Sequence, residues 1–285
     1  EVMMLRNRAL LVSLKARSYS GIKTDKNASA EITSIHGVHP AVAKVVKKLF
    51  PLRPNKTPLS EVLNEARNYH HKQTLPWLAE GARILPSKNW QDYCSTIRGF
   101  KDRFNLAVAE EVKNYESNIE TAKLDLRDLF HASDYPNTEE YEKMFELKAI
   151  VLPFPNTEDF RLTLEKDEVD KLTIELTTSI KSHLQGVVAE KMYGVLNHLS
   201  EKLALPDSTF RNSIVSNIFD AIELCGTLVD TDNVTLSKLI LDTKAALTSG
   251  SYPIGAEELR EDKNLRTVVQ NEAEILSKRY EALKL

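Results

Sequence analysis

The chain has 285 residues, of which 42% are hydrophobic and 28% are charged. These proportions are typical of a folded globular protein and exclude an intrinsically disordered one. Its apolar stretches are only a few residues long, whereas a membrane-spanning helix needs about 20 consecutive apolar residues. We therefore expect a cytoplasmic protein that has no membrane partner.

The net charge of −3 conceals an uneven distribution along the chain. Residues 1–58 contain eleven Lys or Arg against three Asp or Glu, a balance of +8, which leaves −11 for residues 59–285. We therefore distinguish a basic N-terminal section, residues 1–58, from an acidic helical body, residues 59–285, within one integrated unit. The basic section fits three interpretations: contact with nucleic acid or another polyanion, docking on an acidic surface of its own or the next subunit, and ordinary solvated charge.

The basic section is predicted to contain one strand and one helix. Apolar residues dominate and then alternate over residues 8–20, which indicates a β-strand that ends in a Ser-Gly turn. Residues 39–50 combine valines at helical spacing with lysines on the other side, which predicts an amphipathic helix. Lys44, Lys47 and Lys48 would share one face of this helix.

A long apolar series follows, in which an apolar residue recurs every three or four positions from Trp90 to Leu129. Its eleven steps cover 39 residues, and their mean of about 3.5 is the seam period of a coiled coil. This pattern predicts one long helix near residues 88–130. The members of the series are Trp90, Tyr93, Ile97, Phe100, Phe104, Val108, Val112, Tyr115, Ile119, Ala122, Leu126 and Leu129.

A second amphipathic run predicts another long helix near residues 167–204, with a mean apolar spacing of about 3.8. Between the two runs, residues 149–154 and 160–165 have strand composition and are separated by prolines, which fits a hairpin-like connection. We predict a mostly α fold built on a long antiparallel, coiled-coil-like helical hairpin with additional shorter helices. A small β-sheet would combine the N-terminal strand with the mid-chain hairpin.

The motifs that usually carry catalysis or cofactor binding do not occur. The chain has no glycine-rich phosphate loop, no dinucleotide-binding fingerprint and no nucleophile elbow. His36 and His39, like His70 and His71, lack a carboxylate at a recognised metal-ligand spacing. We therefore predict no enzymatic activity, no cofactor and no metal site, although an active site assembled from distant residues would escape such a search.

Two groups of residues are candidates for binding. The most concentrated basic cluster predicts phosphate contacts with nucleic acid, although no aromatic residues interleave it as in a single-strand-binding groove. Aromatic residues are dense along the first long run, where they would form a core, a base-stacking surface or a subunit interface. The basic candidates are Lys44, Lys47, Lys48, Arg53 and Lys56. The interface candidates are Trp90, Tyr93, Leu126 and Leu129.

Residues 11–23, with the sequence Leu-Val-Ser-Leu-Lys-Ala-Arg-Ser-Tyr-Ser-Gly-Ile-Lys, resemble the opening of a family catalogued as domain of unknown function 3150. Members begin with an alternating apolar strand, followed by an aromatic residue, a Ser-Gly pair and a basic residue, here Tyr19, Ser20, Gly21 and Lys23. The resemblance implies a product of a bacteriophage or mobile element, encoded near AAA-type ATPases of the MoxR and cobalt-chelatase kind. It carries no catalytic residue.

These observations predict a non-enzymatic, oligomeric interaction protein. The resemblance implies that it works in the bacterial host cytoplasm as a partner or adaptor of such an AAA ATPase, and the long seam favours a homo-oligomer. The alternative is a single-stranded nucleic-acid-binding or annealing accessory protein, in which the basic section and the aromatic-rich run would contact the strand.

Overall fold

The computed structural model describes residues 5, 7–152, 154, 166–205, 210–229 and 233–284. The chain divides into two compact units, each built from segments that are distant in sequence. Unit 1 comprises Glu1–Ser13, Tyr69–Cys94 and Ile150–Leu285, and unit 2 comprises Leu14–Asn68 and Ser95–Ala149. The boundary between the basic section and the acidic body, after residue 58, therefore falls inside unit 2.

The mostly helical fold class is confirmed. Within the described residues the helices are α1 (Lys26–Ile35), α2 (Pro58–Gln73), α3 (Trp90–Lys113), α4 (Tyr115–Leu126), α5 (Thr138–Glu142), α6 (Lys166–Ala204), α7 (Ser213–Leu228), α8 (Val234–Ala246), α9 (Ala256–Glu261) and α10 (Lys263–Glu281). The strands are β1 (Ala9–Arg17), β2 (Ile22–Asp25), β3 (Val45–Lys48), β4 (Leu75–Pro76), β5 (Arg83–Pro86), β6 (Glu146–Leu152), β7 (Thr248–Ser249) and β8 (Tyr252–Pro253).

The strands form a four-stranded sheet in the order β4-β5-β1-β6 and two separate pairs, β2-β3 and β7-β8. Strand β1 is the predicted N-terminal strand, and β6 overlaps the strand predicted at 149–154. The other predicted strand, residues 160–165, lies outside the described residues. Strand β5 pairs antiparallel with β1, with Ala9 opposite Pro86, so the sheet also uses strands that the sequence pattern did not predict.

Helix α6 provides the centre of the core of unit 1, where Met192, Leu196 and Leu199 are fully buried. The pairing of this long helix differs from the predicted hairpin, because its main partner is the C-terminal helix α10 rather than the run at 88–130. Helix α10 offers an apolar stripe at i, i+4, i+7 and i+11, which is the spacing of a straight amphipathic helix. The buried residues of that stripe are Val269, Ala273, Leu276 and Tyr280.

The core of unit 2 lies between α2, α3 and β6, where Leu63, Phe104 and Leu147 are buried together. An aromatic group adjoins the helices, in which Tyr115 stacks on Tyr141 with ring centroids 3.8 Å apart. Phe104 and Tyr115 are 4% and 1% exposed. Of the three interpretations of the aromatic residues in the long series, packing in a core is therefore confirmed for these two residues.

The single helix predicted near residues 88–130 is interrupted at Asn114, where α3 ends and α4 begins. The side-chain amide of Asn114 donates to the backbone carbonyl of Glu110 at 2.9 Å and to the carboxylate of the same residue at 2.8 Å. Asparagine side chains compete with the helical backbone for hydrogen bonds in this way and favour helix ends. The apolar series predicts the buried face correctly but not the break.

Candidate interaction surface

The predicted basic cluster lies largely in a small module formed by residues 22–48, which we call the β2–α1–β3 module. It follows β1 after a tight turn at Gly21, whose φ of 59° is readily adopted only by glycine. Strands β2 and β3 pair antiparallel, with Ile22 opposite Lys48. The helix predicted at 39–50 is wrong, because its second half is strand β3, where adjacent β-branched valines favour an extended backbone.

The strand geometry separates the lysines that were predicted to share one helix face. Successive side chains of a strand point to opposite sides. Lys44 and Lys48 are exposed, whereas the side chain of Lys47 is only 5% exposed. Lys47 is therefore not available to contact a phosphate, and its place among the nucleic-acid-binding candidates is corrected.

Lys47 instead forms the centre of a buried ionic network. Its Nζ lies 2.7 Å from Oδ2 of Asp134 and 3.4 Å from Oδ2 of Asp25, and it donates to the carbonyl oxygen of Leu129 at 2.7 Å. Lys23 Nζ lies 2.8 Å from the other carboxylate oxygen of Asp134. The network fastens the module to the segment of unit 2 that contains residues 129–134.

The electrostatics of the network keep its members charged. Burial acts to lower the pKa of Lys47, but the carboxylates of Asp134 and Asp25 outweigh it and raise the pKa. Burial acts to raise the pKa of Asp134, but hydrogen bonds from Lys23 and Lys47 outweigh it and hold the pKa below its ordinary value. Each buried charge thus has an opposite charge beside it, as buried ions require.

Other residues of the basic section also pair with acidic residues from later in the chain. Arg53 forms an ion pair with Glu111, and Arg17 Nη2 lies 3.2 Å from the carboxylate of Glu146. These contacts within unit 2 support the interpretation that the basic section docks on an acidic part of its own chain. Among the described residues, no carboxylate pairs with the remaining basic candidates, which are exposed: Lys44, Lys48 and Lys56.

The outer surface of the β2–α1–β3 module is rich in aliphatic side chains. Of the nineteen exposed large hydrophobic residues in the described part of the chain, six lie within these 27 positions. Thr33 is the only buried residue of α1, so the module has almost no core of its own. Grouped exposed aliphatic residues often mark a binding surface. The six are Ile22, Ile32, Ile35, Val38, Val42 and Val46.

The residues that carry the family resemblance form the root of this module. The ring of Tyr19 packs edge-on against Tyr141 at 5.3 Å, and the carbonyl oxygen of Gly21 accepts a hydrogen bond from the amide of Leu49 at 2.7 Å. Lys23 belongs to the ionic network. The motif thus has a structural account: it turns the chain from β1 into the module and fixes the base of the module.

The predicted interface residues are spread over both units. Tyr93 is 1% exposed in unit 1 and is therefore not available as an interface residue. Trp90 and Leu126 are half-buried. Leu129 is 46% exposed, while its carbonyl oxygen accepts from Lys47. Leu129 is thus the most accessible of the four candidates.

Tyr93 belongs to a buried polar pair that the sequence pattern did not predict. Its hydroxyl lies 2.8 Å from Nδ1 of His70, which is 3% exposed. Burial, assisted by the nearby charges of Arg83 and His71, lowers the pKa of His70 to about 4. Burial also raises the pKa of Tyr93 well above its usual range. Both members of the pair are therefore neutral at pH 7, as expected of a hydrogen-bonded pair in a core.

Comparison with protein-family models, curated proteins and solved structures finds no match to this chain. Among the described residues, no group of three or more His, Cys, Asp or Glu side chains is arranged to hold a metal ion. In the same part of the chain, no helix combines the length and the apolar character needed to cross a membrane.

Proposed function

We propose that the protein is a non-enzymatic interaction protein that self-associates through the β2–α1–β3 module. The observation that carries the proposal is the concentration of exposed aliphatic side chains beside unpaired lysines in a module with almost no core. Ile35 and Val42 are 70% and 71% exposed, and Ile22 lies beside Lys48 across the strand pair. An apolar surface with cations at its edge suits an acidic protein surface.

The resemblance of residues 11–23 supports a more specific form of the proposal. In this form the protein belongs to a bacteriophage or mobile element and is a partner or adaptor of a MoxR-like or cobalt-chelatase-like AAA ATPase in the bacterial host cytoplasm. The root of the module would then be the part shared with the family, and the exposed aliphatic residues would make contacts particular to this chain. Purification together with a co-encoded ATPase tests this form directly.

Self-association is tested by measuring the mass of the protein in solution by sedimentation at micromolar concentration. Full burial of an aliphatic side chain contributes about 1.5–3 kcal/mol. Because Ile35 and Val42 are 70% and 71% exposed and so already partly buried, Ile35→Ser with Val42→Ser should cost at least about 2 kcal/mol and weaken association by roughly 30-fold or more. The matched control is Val268→Ser with Ile275→Ser, which removes two comparably exposed aliphatic residues of α10. A wild-type protein that stays monomeric at these concentrations would refute the proposal.

The second candidate function is single-stranded nucleic-acid binding, which is favoured by the exposed lysines Lys26, Lys44 and Lys48 in one module. Binding of a labelled single strand should then weaken steeply with salt, and Lys44→Gln with Lys48→Gln should reduce the salt dependence by about two units of slope. A complete absence of binding at low salt would exclude this function.

A further inference from the structure

Unit 2 contains a groove that the sequence pattern did not predict. It lies between the proline-rich segment 50–58 and the junction of α3 with α4, and its volume is about 390 Å³. Two prolines of this segment, Pro51 and Pro54, stiffen one wall, because proline fixes its own φ. Helical residues on either side of Asn114 form the other wall. The volume lies within the range of sites that hold small ligands or a few side chains.

The groove is apolar inside and acidic at its edge. Phe50, Leu59, Ala107 and Ala122 contribute apolar surface. Its lining includes three carboxylates and a single cation, Arg53, and that cation is already paired with Glu111. Glu110 and Asp125 are both exposed. The carboxylate of Glu110 lies 3.8 Å from Nζ of Lys113, so among the described residues Asp125 is the lining carboxylate that has no cation beside it.

The walls of the groove are held in place by contacts within unit 2. The ring of Phe50 packs edge-on against Tyr115 at 6.1 Å and against Tyr135 at 5.6 Å. The hydroxyl of Tyr135 donates to the carbonyl oxygen of Leu49 at 2.8 Å. The groove is thus formed before any partner arrives, which lowers the entropic cost of binding.

We propose that this groove receives the β2–α1–β3 module of a second copy of the chain. The two surfaces are complementary in kind: the module presents exposed aliphatic side chains edged by Lys26, Lys44 and Lys48, whereas the groove presents apolar walls edged by Glu110 and Asp125. Opposite charges at the rim guide association and fix the register of an interface. Each copy of the chain carries one module and one groove, so the two surfaces are always present in equal number. A separate partner protein would not be present in this fixed ratio.

This inference rests on the proposed self-association and adds its geometry. Because the module and the groove are different surfaces, the contact is heterologous, so one copy uses its module while its groove stays open to the next copy. Such contacts propagate into a ring or a filament rather than a symmetric dimer. The assembly of the wild-type protein should accordingly exceed two copies.

The test uses two variants of the full chain that each lose one surface. The module variant carries Lys44→Glu with Lys48→Glu, and the groove variant carries Glu110→Lys with Asp125→Lys. Each alone should associate at least about tenfold more weakly than wild type. An equimolar mixture should again assemble beyond two copies, because the intact module of the groove variant fits the intact groove of the module variant, and the two surfaces with reversed charges are also opposite in sign.

The outcomes separate this inference from the proposed function. If the groove variant associates as the wild type does, the module binds elsewhere; the inference then fails while self-association stands. A mixture that stays monomeric also overturns the inference, and a monomeric wild type overturns both. Since Glu110 accepts a hydrogen bond from Asn114, Asp125→Lys alone is a second groove variant that leaves this bond in place. It should weaken association in the same direction, and unchanged association would count against the groove.

Discussion

Replacing Lys47 with methionine should detach the β2–α1–β3 module locally. The substitution keeps most of the side-chain volume but removes the buried cation that pairs with Asp25 and Asp134. Removing one partner of a buried ion pair costs about 3–5 kcal/mol. We expect the lower end, about 3 kcal/mol, because Asp134 keeps its contact with Lys23. The loss should appear in the module itself, since Thr33 is the only buried residue of α1.

Hydrogen exchange measures this effect segment by segment. At about 1.4 kcal/mol for each factor of ten, the backbone amides that pair β2 with β3 should exchange about a hundredfold faster in Lys47→Met. The matched control is Lys44→Met, which removes an exposed lysine next to the same strand and should leave exchange unchanged. Equal exchange in the two variants would show that the ionic network does not hold the module, and the reasoning from burial would be wrong.

Two further predictions concern the buried pair in unit 1. The pKa of His70 is about 4 in the folded chain and about 6.5 when unfolded. The unfolded state therefore takes up the proton first, and the free energy of unfolding should fall by roughly 3 kcal/mol as the pH drops from 6.5 to 4. In His70→Asn the free energy of unfolding should depend less on pH over this range. In His198→Gln, which replaces an exposed histidine, the pH dependence should persist. Equal pH dependence in the two variants would contradict its attribution to His70. Tyr93→Phe should lower the free energy of unfolding by about 1–3 kcal/mol in denaturant titrations, because Nδ1 of His70 loses its partner. The exposed Tyr252→Phe is its control, and equal stability of the two variants would refute the importance of the bond.

Local periodicity predicts several elements of this fold well. The alternation over residues 8–20 predicts β1, and the apolar spacing near residues 167–204 predicts α6. The long series from Trp90 predicts the buried face of α3 and α4. These features depend on residues that are close in sequence, so a periodic pattern contains the information needed to recognise them.

Features that depend on distant residues were not predictable in the same way. The sequence around Val45 and Lys47 fits both a helical and a strand period, and the strand brings Lys47 to Asp134, which lies 87 positions later. The partner of α6 is likewise decided by tertiary packing, because three other helices offer it apolar faces in unit 1. The charge balance along the sequence indicated that the basic section docks on an acidic surface, but it could not identify which residues form the ion pairs.

The groove was missed for a related reason. Its walls come from residues 50–59 and 107–125, and the break at Asn114 that shapes it is hidden by an uninterrupted apolar series. The exposed aliphatic residues of the module gave a misleading signal instead. Ile35, Val38 and Val42 recur at steps of three and four residues, which is a helical spacing, but α1 ends at Ile35, so the three residues do not share one helix face.

The most direct test of the central claim is hydrogen exchange of the wild-type protein at low and at high micromolar concentration. If the β2–α1–β3 module is the surface through which copies associate, amides of residues 26–46 should become protected as the concentration rises. The amides of the exposed face of α10 around Val268 should not change. Protection that appears in α10 but not in the module, or no protection in an assembly whose mass has grown, would contradict the account.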